Sequence, residues 1–227
     1  MSARKHTDKS FDVELDELRG KLLTLGGKVE AEIANGVRAL LERDSALAES
    51  VVASDREVNR LEVEIDEICR RLLALRQPAA SDLRLITTAL KVVVDLERIG
   101  DLAVNVAERA IDLNQSPPIG PLHGLTELAS LCQKQVRAAL DSFVDESVEK
   151  AEAVIKGDEL VDALYHKLFH GLIELMLEDS KHIRRVTSLM FVAKHLERLA
   201  DHATNVAEMV IYMVRGTDVR HPGSRET

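Results

Sequence analysis

Glu97, Asp101, Asn105 and Glu108 carry side-chain oxygens at spacings suited to holding a cation. They stand at i, i+4, i+8 and i+11, so a helix that carries them presents one oxygen-rich stripe. One hundred residues later Glu197, Asp201, Asn205 and Glu208 repeat the set. The surrounding runs Leu96-Glu97-Arg98-Ile99-Gly100-Asp101 and Leu196-Glu197-Arg198-Leu199-Ala200-Asp201 share Leu, Glu, Arg and Asp at the same offsets. Such identity marks an internal duplication. A duplication kept only for packing would preserve apolar positions, whereas this one also preserves three acids, an Arg and an Asn.

A second pair of polar residues faces each stripe. Asp158 and Asp162 lie on a predicted fifth helix, and Asp55 and Asn59 hold the matching places in the first copy. A hairpin near Ser180 makes the flanking helices antiparallel. Asp158/Asp162 and Glu197/Asp201 then lie level, because each pair is about twenty residues from the turn at ~1.5 Å rise per residue. Acid pairs that face each other repel, and more strongly when partly buried. A hard multivalent cation removes that repulsion. Oxygen ligands with Asn among them suit iron, Mn, Mg or Ca better than Zn, with iron or Mg favoured. The candidate metal ligands are therefore Glu97, Asp101, Asp55 and Asn59 in the first copy, and Glu197, Asp201, Asp158 and Asp162 in the second. Asn105, Asn205, Glu108, Glu208, Arg98 and Arg198 are expected around them as outer partners. Asn59 gives the first copy one charge fewer, so its site is expected to bind divalent cations more weakly. The competing reading is a solvated acidic face, with Arg98 and Arg198 in intrahelical ion pairs. Retention of residue identity in both copies weighs against it.

Other chemistry is poorly supported. His166 and His170 have a spacing that can bind Zn, but no third ligand accompanies them. His195 and His202 flank the second stripe, yet Asp95 and Leu102 replace them in the first copy. Arg84 and Arg184 recur near helix starts, where an ion pair with a neighbouring helix is expected in preference to an anion site. Cys69 and Cys132 sit inside apolar patterns and read as buried free thiols in a reducing compartment. No glycine-rich phosphate loop and no nucleophile setting is present, so no enzymatic activity is expected. A metal-dependent, carboxylate-bridged enzyme is the alternative. Net charge is −9, which disfavours direct contact with nucleic acid. No long uncharged apolar run suggests a signal peptide or a membrane span.

Helices must position these groups. Leu, Ala, Val, Glu and Arg dominate, aromatics are 3% and Trp is absent, the profile of helix packed on helix. Leu15, Leu18, Leu22, Leu25, Val29, Ile33, Val37 and Leu40 keep spacings of three and four and predict a helix over about 12–44. Gly26-Gly27 is expected to loosen or kink it. Further helices are predicted over about 54–76, 81–114 (N-capped by Ser81-Asp82), 122–145, 158–178 with a start as early as 148, and 181–214. Ser116-Pro117-Pro118-Ile119-Gly120-Pro121 breaks the chain near its midpoint. The halves align at an offset of 103 residues before the second hairpin of each half and 100 after it. The expected fold is all-α: two tandem three-helix bundles, 10–115 and 122–216, related by internal pseudo-twofold symmetry. Flexible tails are expected at 1–9 and 217–227.

Several stretches resemble the PhoU family. They are Gln77-Pro78-Ala79-Ala80-Ser81-Asp82-Leu83-Arg84, the Leu-Glu-Arg-Ile-Gly-Asp run at 96–101 with its copy at 196–201, Met176-x-Glu178-Asp179-Ser180, and Gly216-Thr217-Asp218-Val219-Arg220-His221. The similarity spans about 10–221. It implies two three-helix bundles, and repeated (Glu/Asp)-x-x-x-Asp motifs that hold metal clusters in some members. It implies a cytoplasmic regulator that restrains the phosphate-starvation response when phosphate is plentiful. The implied partners are the ATPase of the Pst phosphate transporter and a sensor histidine kinase of the PhoR type, with a homodimer as the implied assembly. Carried over residue by residue, the metal motif falls on Glu97/Asp101 and Glu197/Asp201, and Asp158/Asp162 fit the facing motif. Asn59 departs from it.

Overall fold

A computed structural model of the chain describes residues 9–78, 80–120 and 123–219. Apolar residues at helical spacing give six long helices among them: α1 (Lys9–Glu42), α2 (Ser45–Arg76), α3 (Ala80–Asn114), α4 (His123–Val144), α5 (Val148–Glu178) and α6 (Ile183–Arg215). A short 3-10 turn over Ser180–His182 precedes α6. The fold is all-α, with no strand among the described residues. The segments 1–8 and 220–227, most of the expected tails, lie outside the described residues.

Local chemistry sets the ends. The Asp44 carboxylate accepts a hydrogen bond from the Leu47 backbone N–H at 2.9 Å and starts α2 nine residues earlier than the apolar pattern predicts. Ala48 and Val51 then join the core. Ser147 caps α5 in the same way, through Lys150 N–H, so that helix takes the earlier of its two expected starts. Gln77 ends α2 in a left-handed conformation just before Pro78, and Gly216 ends α6 at φ 70°. Ser81 and Asp82 lie inside α3 rather than capping it.

The Gly26-Gly27 pair does not interrupt α1. A Cβ on Gly26 would lie 2.8 Å from Leu140 Cδ2, so this glycine lets α1 approach α4 closely. The expected kink is replaced by a packing contact between the two halves.

Helices α1, α2 and α3 pack on one another, and so do α4, α5 and α6. The halves meet through α3 against α6 and α1 against α4. Each inter-half contact pairs a helix with its own equivalent, as a two-fold relation requires. Ala89, Gly100, Ala103 and Ala107 on α3, with Ala193, Ala200, Ala203 and Ala207 on α6, are all buried and keep these two central helices narrow. A polar lock crosses that interface at Asp95. Asp95 Oδ1 accepts from Asn205 Nδ2 at 3.1 Å and contacts His202 Nδ1 at 2.9 Å. Arg43 donates to the carbonyls of Leu113 and Asn114 at the end of α3 and to that of Ser116, and Arg185 to that of Pro117, which fastens the linker to both halves.

Candidate metal centre

The second copy shows the predicted arrangement most plainly. Asp158 and Asp162 lie on α5, one helical turn apart, and face Glu197 and Asp201 on α6. Glu197 is 9% exposed. Lys194 donates to its Oε1 at 2.7 Å. Burial and then the charges of Glu197 and Asp158 push Asp201 up to about 6. Asp201 is itself partly in solvent, and water screens part of that repulsion. Burial, followed by the charge of Asp162, raises Asp158, and the Thr204 hydroxyl opposes the shift. Asp158 Oδ1 is buried and has no hydrogen-bond partner among the described residues. Behind the acids, burial and the charges of Glu197 and Asp158 push the Cys132 thiol above its ordinary range.

The first copy differs in detail. Asp55 on α2 and Glu97 and Asp101 on α3 form the equivalent row. Burial, then Asp101, raises Glu97, while Arg98 opposes the shift. Arg98 Nη1 bonds Asp101 Oδ2 at 3.2 Å, and its Nε lies 3.5 Å from Glu97 Oε2. Those ion pairs belong to the solvated-face reading, and they coexist with the facing rows. Asn59 is exposed, and its amide donates to Asp55 Oδ2 at 2.7 Å. It therefore ties Asp55 in place through its nitrogen. Asp55 Oδ1 remains buried and finds no partner among the described residues.

Two acids near this row escape a reading based on the duplicated stripe. Glu62, two turns after Asp55 on α2, adds its charge against Glu97. Glu32 on α1 is 4% exposed, and its Oε1 accepts from Ser54 Oγ at 2.7 Å. Burial, with the charge of Asp55 adding to it, pushes Glu32 up to about 7. The signal for Glu32 was an acid three residues after Val29 in the buried register of α1. Its equivalent in the second copy is the neutral Gln135.

One outer residue of the second stripe turns away from the acids. Asn205 turns to Asp95 at the α3–α6 interface. Asn105 is half-buried on α3, Glu108 is exposed, Glu208 is half-buried and Arg198 is exposed. His166 and His170 lie exposed in a ring cluster with Tyr165 and Phe169. His195 is half-buried, and its ring is held below the usual imidazole range by burial and by Arg109. Arg84 donates to the Met213 carbonyl at 3.0 Å and caps the end of α6. Cys69 and Cys132 are buried free thiols.

The donor set suits a hard cation. Its oxygens are partly buried, mutually repelling and, at Asp55 and Asp158, unpartnered among the described residues. As the side chains lie, no three carboxylates, imidazoles or thiols among the described residues close on a common point. The rows are therefore facing pairs rather than a finished cage, and an ion there would be gripped after side-chain rotation.

Comparison with known proteins decides the family. The model of the PhoU domain matches twice, over residues 22–110 and 125–210. The chain belongs to the PhoU family. The two matched segments contain the two facing rows. Among PhoU relatives, the phosphate-specific transport system accessory protein PhoU homolog of Pseudomonas aeruginosa is 45% identical over 98% of this chain and 92% of its own length. The accessory protein PhoU of Escherichia coli is 36% identical over 100% of this chain and 94% of its own. The crystal structure of PhoU from Pseudomonas aeruginosa superposes with a TM-score of 0.89 at 44% identity, over 91% of this chain and all of that one. That of the phosphate transport system regulatory protein PhoU from Streptococcus pneumoniae gives 0.84 at 30% identity, over 92% and 99%.

Proposed function

We propose that this chain is a cytoplasmic accessory regulator of phosphate uptake that restrains the phosphate-starvation response when phosphate is plentiful. The observation that carries the reading is the match of both halves to the PhoU domain, with relatives named as phosphate-transport accessory proteins along nearly the whole chain. The regulator works by protein contact. Its partners are the ATPase of the Pst phosphate transporter and a PhoR-type sensor kinase, and it acts as a homodimer. The acidic balance favours protein over nucleic-acid partners. No described helix is long and apolar enough to cross a membrane. The regulator is not an enzyme.

Iron, Mg or another hard cation belongs between the facing rows, held by Asp158, Asp162, Glu197 and Asp201 in one half and by Asp55, Glu97 and Asp101 in the other. Such an ion supplies positive charge to neutralise acids that otherwise repel. The chain's own contribution is to hold α2 level with α3, and α5 level with α6. Each half then presents a helical face of similar shape to a partner.

Deletion of the gene is expected to turn on phosphate-starvation genes in phosphate-rich medium and to raise phosphate uptake. The purified protein is expected to bind the transporter ATPase or the sensor kinase, and to leave promoter DNA unshifted at physiological salt. Normal repression in the deletion strain, or tight binding of promoter DNA by the protein alone, would refute the reading.

A further inference from the structure

The two halves differ most informatively at one buried position. Glu32 on α1 and Gln135 on α4 are equivalent under the 103-residue offset, and both are nearly buried. Their heads take different directions. Gln135 Nε2 donates to the Val154 carbonyl on α5 at 3.2 Å. It lies so close to Gly157 that a Cβ there would stand 2.3 Å from Nε2. In the first half Ser54 fills the place equivalent to Gly157, and its hydroxyl bonds Glu32 Oε1. The other oxygen of Glu32 points to α3. A Cβ on Gly100 would lie 3.4 Å from Glu32 Oε2. In the second half that place is Ala200.

Three positions therefore change together: Glu32, Ser54 and Gly100 against Gln135, Gly157 and Ala200. Gly100 lies next to Asp101 on α3, and the opening it leaves is bounded by Val58, Val29 and Glu32 Oε2; the charge of Asp55, whose Oδ1 is buried without a hydrogen-bond partner among the described residues, also reaches Glu32. Glu32 Oε2 is buried in that opening without a hydrogen-bond partner among the described residues. A buried carboxyl with an unmet oxygen is unfavourable, and the fold holds a neutral amide at the equivalent place. Packing alone gives no reason for the acid. A ligand at Oε2 does.

We propose that Glu32 is a ligand of the cation in the first half, supplying from α1 the carboxylate that Asn59 does not. This rests on the metal reading above and deepens it. The first site then draws on three helices and the second on two. The loss of charge at Asn59 no longer makes the first site the weaker one.

Calorimetric titration of chelator-stripped, full-length protein with Mn²⁺ tests the assignment. Glu197→Gln with Asp201→Asn silences the second half, so the first is read alone. In that background Glu32→Gln is expected to weaken Mn²⁺ binding at least about tenfold, since affinity follows ligand charge. With the first half silenced by Glu97→Gln and Asp101→Asn instead, Glu32→Gln is expected to leave the second half's affinity unchanged. A converse variant guards against misfolding. Gln135→Glu, Gly157→Ser and Ala200→Gly together carry the arrangement into the second half, where binding is expected to tighten. First-half affinity unchanged by Glu32→Gln overturns the assignment and leaves the metal reading standing. So does a transplant that folds and gains nothing. A parent protein that binds no Mn²⁺ in either half removes the metal reading and the role of Glu32 with it.

Discussion

Glu32→Gln is expected to flatten part of the pH dependence of stability in metal-free protein. Burial raises the Glu32 carboxyl from 4.5 to about 7. A raised carboxyl binds its proton more tightly when folded than when unfolded. The folded state is therefore favoured while the group is protonated, and stability falls as pH rises from the unfolded to the folded value. Above about 7 the whole penalty is present. The shift is about 2.5 pH units, or ~3 kcal/mol at full ionisation. Between about pH 5 and about pH 8 the share lost is ~2.5 kcal/mol, because some of it is already gone at the lower value. Glutamine has the same shape and no charge, so this share vanishes in the variant. Constant effects of the new amide, such as an unmatched N–H, cancel when the two pH values are compared. In a chain of this size each kcal/mol moves the melting temperature by about 2–4 °C. Relative to the parent, the variant should gain about 5–10 °C on passing from about pH 5 to about pH 8. Calorimetric melting in the presence of chelator reads it directly. A variant whose melting temperature tracks the parent at both values would refute the placement of an ionising carboxyl in the core. A variant that loses ground as pH rises would refute the sign.

Other outcomes follow from the same contacts. Glu197→Gln with Asp201→Asn should remove most metal from the second half, and elemental analysis showing equal metal in variant and parent would remove those ligands from the site. Removing acids that repel in the apo state should also raise the midpoint of urea unfolding slightly, provided chelator is present. Asp95→Ala should destabilise the join between the halves by about 1–3 kcal/mol, because it strips partners from both His202 and Asn205; denaturant midpoints compared with His202→Ala and the double variant would show the coupling. Gly157→Ala should cost about 1–3 kcal/mol by driving a methyl into the Gln135 amide. That loss should shrink in a Gln135→Ala background, and an undiminished loss would place the clash elsewhere.

Much was legible in the chain itself. Spacings of three and four among Leu, Ile and Val fixed the helices, because a helix must bury one stripe. The duplicated Leu-Glu-Arg run revealed two copies, and hairpin length put Asp158/Asp162 level with Glu197/Asp201. Helix starts were less legible. The pattern over 45–53 is weak, and the Asp44 side chain sets that end by a hydrogen bond that apolar spacing does not record. Gly26-Gly27 read as a weakness because a sequence does not show that Leu140 lies across from it.

Tertiary structure alone decided which oxygens share a row. Asn205 belongs to the acidic stripe by periodicity, yet Asp95 on another helix claims it. Asn59 counts as an oxygen ligand by type, yet it spends its amide nitrogen on Asp55. Glu32 lies on a different helix from either acid pair, so no spacing along the chain connects it with Glu97 and Asp101. It comes beside Ser54 and Asp55 of α2 and Gly100 of α3 only when α1 packs against both helices. Periodicity determines which face of a helix is apolar, because that depends on turns within one segment. What an acid on that face will meet depends on the neighbouring helix, and only packing supplies it.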